Sequence, residues 1–130
     1  PGSLDALAAG LASEAKLDAA TAGRLVRLYG AEAREVAALD PAPLVPETPV
    51  LAGEVEWAVT REGAQTVVDV LYRRLRTALY VPRAREAAVA PVALRMAARL
   101  GWDDARRAAE VERARAQLAS DLAFLEEDSG

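Results

Sequence analysis

Four prolines stand within nine residues, at positions 41, 43, 46 and 49, and they divide the chain into two parts. Proline has no backbone N–H, and it also disfavours the helical conformation in the residue before it. A regular helix therefore cannot pass through residues 40–49. We predict that this segment is an extended loop that crosses between two helical regions.

On both sides of this loop the chain is rich in alanine, the residue with the highest helix propensity. Alanine supplies 31 of the 130 residues, whereas aromatic residues, which favour strands, make up only 5%. The sequence therefore predicts an all-α fold, a single irregular bundle of about six to eight helices. We assign residues 4–125 to this helical domain, residues 1–3 to a linker or expression remnant, and residues 126–130 to an acidic tail.

Capping residues and apolar spacing give the helix positions. The predicted helices are about Leu4–Lys16, Ala19–Tyr29, Ala31–Leu39, Glu54–Glu62, Thr66 to about Leu79, a short turn at Arg83–Val89, Val92–Leu100, and Asp104 to about Leu125. Their predicted N-caps are Ser3, Asp18, Thr66 and Asp103, and the predicted stops include Gly30 and Gly101. Pro91 is predicted to open the helix Val92–Leu100, because proline is favoured at the first helical position. The predicted buried stripes include Leu25, Val26, Leu28, Ala33, Val36, Ala37, Val67, Val70, Leu71, Leu75, Ala78, Val111, Ala114, Leu118, Leu122 and Leu125.

The chain contains no histidine and no cysteine. This excludes Ser-His-Asp and Cys-His triads, thiolate chemistry and the usual zinc sites. No Gly-x-Gly-x-x-Gly or Gly-x-x-x-x-Gly-Lys motif is present, so the sequence offers no phosphate-binding loop. We therefore expect no catalytic, cofactor-binding or metal-binding residues in this chain. A membrane-spanning segment is not expected either, because a spanning helix needs about 20 predominantly apolar residues.

The densest group of charges is the basic segment, residues 69–76, with the sequence Asp-Val-Leu-Tyr-Arg-Arg-Leu-Arg. On a helix, Asp69 is placed for an ion pair with Arg73 one turn later. Three interpretations of this segment remain open: salt bridges at an interface, a solvated helix face, or contacts with nucleic acid. The acidic isoelectric point, about 4.9, argues against nucleic acid. We take Arg73, Arg74 and Arg76 as candidate docking residues.

Trp57 joins these candidates, because Trp57 and Trp102 are more typical of a core or an interface than of a platform that stacks a base or a cofactor. Glu54 and Glu62 are eight residues apart and fit one helix face, which raises the question of paired carboxylates. A carboxylate-bridged metal site in a helical bundle normally includes Glu-x-x-His. Since the chain has no histidine, we do not predict a metal site here.

Several blocks in order resemble one known family. They are Arg24-Leu-Val-Arg-Leu-Tyr-Gly30, then Ala33-Arg-Glu-Val36, the proline-rich loop, Glu54-Val-Glu-Trp-Ala-Val59, the basic segment, and Leu100-Gly-Trp102. Together they are similar to the C-terminal helical domain of the FAD-dependent glycerol-3-phosphate dehydrogenases and the related α-glycerophosphate oxidases. The resemblance covers about Leu4 to Ala116.

This resemblance implies that the chain is an accessory, non-catalytic domain. Its partner would be a preceding flavin-binding domain of the same polypeptide, or another subunit. FAD would be bound there, in a cytoplasmic enzyme or one attached to the inner face of the membrane. That enzyme would oxidise sn-glycerol 3-phosphate to dihydroxyacetone phosphate and pass electrons to quinone. The alternative hypothesis is a free-standing helical module that binds a protein or a nucleic acid.

Overall fold

The computed structural model describes the backbone of residues 2–73, 79 and 82–129, and the side chains of residues 4–72, 79 and 83–123. Its elements are α1 (Gly2–Ala15), α2 (Ala19–Tyr29), a 3₁₀ turn (Gly30–Glu32), α3 (Ala33–Leu39), α4 (Ala52–Glu62), α5 (Val67–Arg73), α6 (Pro82–Leu100) and α7 (Asp104–Ser129). The described residues form no strand beyond an isolated bridge, Pro43 with Leu51. The predicted all-α fold is confirmed.

The residue contacts divide the chain into two compact units, residues 1–57 and 58–130, although the sequence predicts a single domain. In the first unit α1, α2 and α3 pack on one another. Its apolar core is formed by Leu11, Ala22, Leu25, Val26, Ala33, Val36, Ala37, Leu51 and Trp57. In the second unit α5, α6 and α7 pack together, and the buried residues include Val67, Val70, Leu71, Leu79, Ala88, Val89, Val92, Ala93, Met96, Ala114 and Leu118.

Local sequence signals place three helix starts correctly. Asp18 accepts a hydrogen bond from the Thr21 backbone at 2.7 Å, and Asp103 accepts one from the Arg106 backbone at 2.7 Å. Thr66 accepts one from the Asp69 backbone at 3.0 Å. Each cap satisfies a backbone N–H that the first helical turn leaves without a partner. Ser3 is the exception, because α1 begins at Gly2 and Ser3 lies inside the helix rather than at its N-cap.

The proline-rich loop folds back on itself, so the prediction that it crosses between two regions is wrong. The Leu44 N–H donates to the Val50 carbonyl at 2.8 Å, and the Ala52 N–H donates to the Ala42 carbonyl at 2.8 Å. These bonds bring the end of the loop back to its beginning. As a result α4 starts beside the end of α3, where the Gly53 N–H donates to the Asp40 carbonyl at 2.9 Å.

The predicted break at Pro91 is also wrong, because α6 continues through it from Pro82 to Leu100. The missing N–H of Pro91 removes one helical hydrogen bond, to the carbonyl of Ala87. Ala87 itself is exposed. On the opposite face Val89, Val92 and Met96 are fully buried, and their packing holds the helix together across the proline.

Other differences concern single residues. Leu28 is 41% exposed, because it lies about 200° around α2 from buried Val26. The predicted stripe on α7 is buried at Ala114 and Leu118, whereas Leu122 is 40% exposed. α7 continues to Ser129 instead of ending near Leu125. The predicted core positions Leu75 and Ala78 and the side chain of Leu125 lie outside the described residues.

Candidate functional site

The basic segment begins on α5 and leaves the described part of the chain before it ends. Asp69 lies in the first turn of α5, and Arg73 is the last residue of this helix. The side chain of Arg73, and Arg74 and Arg76 entirely, lie outside the described residues. The predicted Asp69–Arg73 ion pair and the docking role of the three arginines therefore remain predictions. What the structure does describe is how α5 is held in place.

Glu110 of α7 holds the beginning of α5. Its carboxylate accepts a hydrogen bond from the Val67 N–H at 3.1 Å, and Val67 is the first residue of α5. The same carboxylate accepts bonds from Arg106 Nε at 3.2 Å and from Arg113 Nη2 at 2.8 Å. Glu110 is only 2% exposed, so its charge needs these three donors. A distant side chain thus serves as a cap in addition to the local Thr66.

The pKa of Glu110 depends on its burial and on these hydrogen bonds. Burial raises the pKa, since it disfavours the charged form, and this is the largest single effect. The hydrogen bonds from Arg113 and from the Val67 backbone, together with the charge of Arg113, act in the opposite direction and outweigh it. The pKa of Glu110 therefore lies below its ordinary value of 4.5, and the group is ionised at neutral pH.

Asp121 of α7 contacts the other end of α5. Its Oδ2 accepts a hydrogen bond from the hydroxyl of Tyr72, the residue directly before Arg73. Its Oδ1 accepts a second bond from Gln117 Nε2 at 3.1 Å. α7 therefore binds both ends of α5, through Glu110 and Asp121. The described part of α5 is therefore fixed to α7 at Val67 and Tyr72.

Trp57 is a core residue of the first unit. Its side chain is only 5% exposed, and its ring meets Tyr29 edge-to-face, with ring centroids 6.2 Å apart and an interplanar angle of 78°. This geometry is favoured by the quadrupoles of the two rings. Trp57 therefore stabilises the first unit. Its docking role remains a prediction.

Sequence reasoning missed a buried ion pair beside Trp57. Arg24 Nη1 donates to Glu54 Oε2 at 2.7 Å, and the two side chains are 11% and 0% exposed. Glu54 also accepts bonds from the Tyr29 hydroxyl at 3.0 Å and from the Leu51 N–H at 2.8 Å. Arg24 Nη1 reaches the Pro49 carbonyl at 3.3 Å as well. This pair therefore ties α2, the proline-rich loop and the start of α4 together.

One signal for this pair was present in the sequence. Glu54 follows the apolar run Val50-Leu51-Ala52, so a carboxylate here enters a core and needs a cation. The sequence does not identify that cation, because α2 offers both Arg24 and Arg27. In the fold Glu54 pairs with Arg24. The Nη2 atom of Arg24 is buried with no hydrogen-bond partner among the described residues. Glu54 is fully engaged by its partners, and Glu62, the other proposed carboxylate, is only partly buried.

Two further findings concern a metal site and a membrane-spanning helix, neither of which the sequence predicts. Within the described residues, no group of three or more Asp or Glu side chains is arranged to hold a metal ion. In the same part of the chain, every helix is too short or too polar to span a lipid bilayer.

The family match and the similar proteins indicate the same family. Residues 1–107 match the family described as the C-terminal domain of alpha-glycerophosphate oxidase. The mitochondrial glycerol-3-phosphate dehydrogenase of Bos taurus is 31% identical over 118 residues, covering 83% of this chain, and that of Homo sapiens is 30% identical over the same length. Glycerol-3-phosphate dehydrogenase 1 of Mycobacterium bovis is 48% identical over 71 residues, covering 51% of this chain.

These matches cover only part of each relative: 16% of the bovine protein and 14% of the mycobacterial one. No solved structure matches the chain. The family match nevertheless spans most of the 130 residues and includes α1 to α6. The chain therefore belongs to the family of the C-terminal domain of alpha-glycerophosphate oxidase.

Proposed function

We propose that the chain is the accessory C-terminal domain of a flavin-dependent glycerol-3-phosphate dehydrogenase. The observation that carries this proposal is the family match over residues 1–107, together with relatives named as glycerol-3-phosphate dehydrogenases. In the complete enzyme sn-glycerol 3-phosphate is oxidised to dihydroxyacetone phosphate, and FAD passes the electrons to quinone. The domain itself packs on the preceding flavin-binding domain, or on another subunit, and contributes no catalytic residue.

The residues of this chain support assigning the flavin to the preceding domain. FAD is commonly held by a strand, a glycine-rich loop and the N-terminus of a helix, in the pattern Gly-x-Gly-x-x-Gly. The 130 residues contain no such pattern. The buried polar groups Glu54 and Glu110 are also occupied, since each accepts three hydrogen bonds within the protein.

The proposal is tested by expressing the full-length polypeptide and the 130-residue chain side by side. The full-length protein should carry bound flavin and reduce a dye when glycerol 3-phosphate is added. The chain alone should do neither. If the upstream reading frame lacks a Gly-x-Gly-x-x-Gly strand–turn–helix start, or if the chain alone binds flavin, the proposal is wrong. The first of these results would favour the free-standing binding module.

The docking role of the basic segment has its own test. Arginine forms two parallel hydrogen bonds with a carboxylate, so these side chains suit a junction between domains. The double variant Arg74→Ala/Arg76→Ala should leave the melting temperature of the chain nearly unchanged but speed proteolysis before Leu4 in the full-length enzyme. Arg107→Ala is the control, because Arg107 lies in an exposed pair with Asp104. Unchanged proteolysis in the double variant would reject the docking role.

A further inference from the structure

The central part of α6 is apolar on every side. One face buries Ala88, Val89, Val92, Ala93 and Met96, each no more than 1% exposed, against the other helices of the second unit. The opposite side, called here the outer face of α6, is formed by Ala87, Ala90, Pro91, Leu94 and Ala98. Among these, Pro91 is partly buried and the other four are exposed. A helix that is apolar all round is normally covered on both sides.

Two properties distinguish the outer face of α6 from scattered surface leucines. Leu94 is 57% exposed, more than any other large apolar side chain in the part of the chain that the structure describes. It lies in a run of eight residues, Ala87–Leu94, without a charged side chain. Single exposed apolar residues are ordinary, but contiguous apolar surface on one face marks interaction sites.

Pro91 also changes the backbone hydrogen bonding along the outer face of α6. Because Pro91 has no N–H, the carbonyl of Ala87 lacks the donor that the residue four positions later normally provides. Ala87 and Pro91 both belong to the outer face, so this acceptor accompanies the apolar strip. A partner that fits this face therefore presents an apolar surface to Leu94.

We propose that the outer face of α6 is the surface on which the preceding domain of the same polypeptide packs. This inference rests on the proposed function, since it requires such a domain. The chain covers only 16% of the bovine relative, and its family is described as a C-terminal domain. In a full-length protein of that kind, most of the polypeptide lies outside this chain. The preceding domain is therefore the part of the same polypeptide that can cover the outer face of α6.

The absence of cysteine in the chain permits a direct test by thiol labelling. Leu94→Cys places a thiol on the outer face of α6, and Leu122→Cys places one on α7, where Leu122 is 40% exposed. Each variant is made in the 130-residue chain and in the full-length polypeptide. Reaction with a maleimide is followed by mass mapping of the labelled peptide, so that cysteines elsewhere in the full-length protein do not interfere.

In the 130-residue chain both thiols should react at similar rates. In the full-length polypeptide the thiol at position 94 should react at least about tenfold more slowly, as expected for a protected site, while the thiol at position 122 keeps its rate. Equal rates at position 94 in the two proteins would overturn the inference. Slower labelling at position 94 as the 130-residue chain is concentrated would also overturn it, because a second copy would then cover this face.

The same full-length sample separates this inference from the proposed function. Flavin absorbance and oxidation of glycerol 3-phosphate are measured before labelling. A protected position 94 without flavin or activity supports the docking face and rejects the proposed function. If flavin and activity are present and position 94 is fully reactive, the proposed function is supported and the docking face is rejected.

Discussion

The carboxylate of Glu110 accepts a hydrogen bond from the backbone N–H of Val67, 43 residues earlier in the chain. Glu110 is therefore a capping residue for a helix other than its own. Most N-caps come from the residue directly before the helix. Here Thr66 accepts from the Asp69 N–H and Glu110 accepts from the Val67 N–H, so two N–H groups of the first turn of α5 have acceptors from different parts of the chain.

The first prediction concerns the stability that this cap provides. Glu110→Ala leaves the buried Val67 N–H without an acceptor, a loss of about 1–3 kcal/mol from the free energy of unfolding. Urea titration of the 130-residue chain measures the difference. Glu112→Ala is the matched control, because Glu112 is an exposed glutamate on the same helix. A loss at Glu110 no larger than that at Glu112 would show that the cap contributes nothing to folding.

The second prediction concerns pH. The pKa of Glu110 is lowered on folding, so its contribution to stability is present above the unfolded value of about 4.5 and is lost as the pH falls through the folded pKa. The difference in free energy of unfolding between the wild type and Glu110→Gln should therefore be larger at pH 7 than at pH 3. Urea titrations at both pH values measure it. A difference that grows on acidification would mean that the pKa shift has the opposite sign.

The third prediction concerns the buried pair Arg24–Glu54. Removing one partner leaves the other charge buried and uncompensated, which typically costs about 3–5 kcal/mol. Arg24→Met should therefore destabilise the chain strongly, whereas the double variant Arg24→Met/Glu54→Leu should recover part of the loss. Arg34→Ala is the control, because the Arg34–Glu14 pair is more than half exposed on both sides and is worth about 0–1 kcal/mol. Additive single losses would indicate that the two charges are not coupled.

The fourth prediction concerns Gly53, at the close approach of α4 to α3. A Cβ atom at this position would lie 2.3 Å from the carbonyl oxygen of Val36 and 2.9 Å from backbone atoms of Asp40. Gly53→Ala should therefore cost about 1–3 kcal/mol or more, because backbone has to move. Gly10→Ala is the control: nothing lies within 4 Å of its added Cβ, and it sits inside α1.

The control variant at Gly10 should change stability in the opposite direction. Alanine is favoured over glycine inside a helix by roughly 0.5–1 kcal/mol, so the melting temperature should rise. The two substitutions add the same methyl group, and only their surroundings differ. If both variants lost stability equally, the close packing at Gly53 would not be the cause of its loss.

The parts of the fold that could be predicted from the sequence depend on neighbours along the chain. Asp18, Thr66 and Asp103 act on backbone groups three residues away, and their role as N-caps is confirmed. The stop at Gly30 is also confirmed, since its φ of 58° is a conformation that glycine adopts without strain.

The parts that could not be predicted depend on partners far along the chain. Glu110 finds Val67, and Glu54 selects Arg24 over Arg27, because of the way helices pack and not because of spacing. Pro91 was expected to begin a helix, since proline is common at that position. Burial of Val89 and Val92 on either side of it keeps α6 continuous instead.

The surroundings of the candidate docking residues could not be predicted from the sequence either. The sequence identified arginines and a tryptophan by residue type. Trp57 lies in the core, and the arginines lie where their side chains are not described. Most of the outer face of α6 lies in the uncharged run Ala87–Leu94, and periodicity alone does not say which of two apolar faces has a neighbour.

The family match ends at residue 107, three residues before Glu110 and within the first turns of α7. A protein truncated at residue 107 would therefore lose the carboxylate that caps α5, and with it the buried residues Ala114 and Leu118. Residues inside the family match thus pack against residues that lie outside it. The end of the family match and the end of the second compact unit therefore fall at different residues, and α7 extends across the first of them.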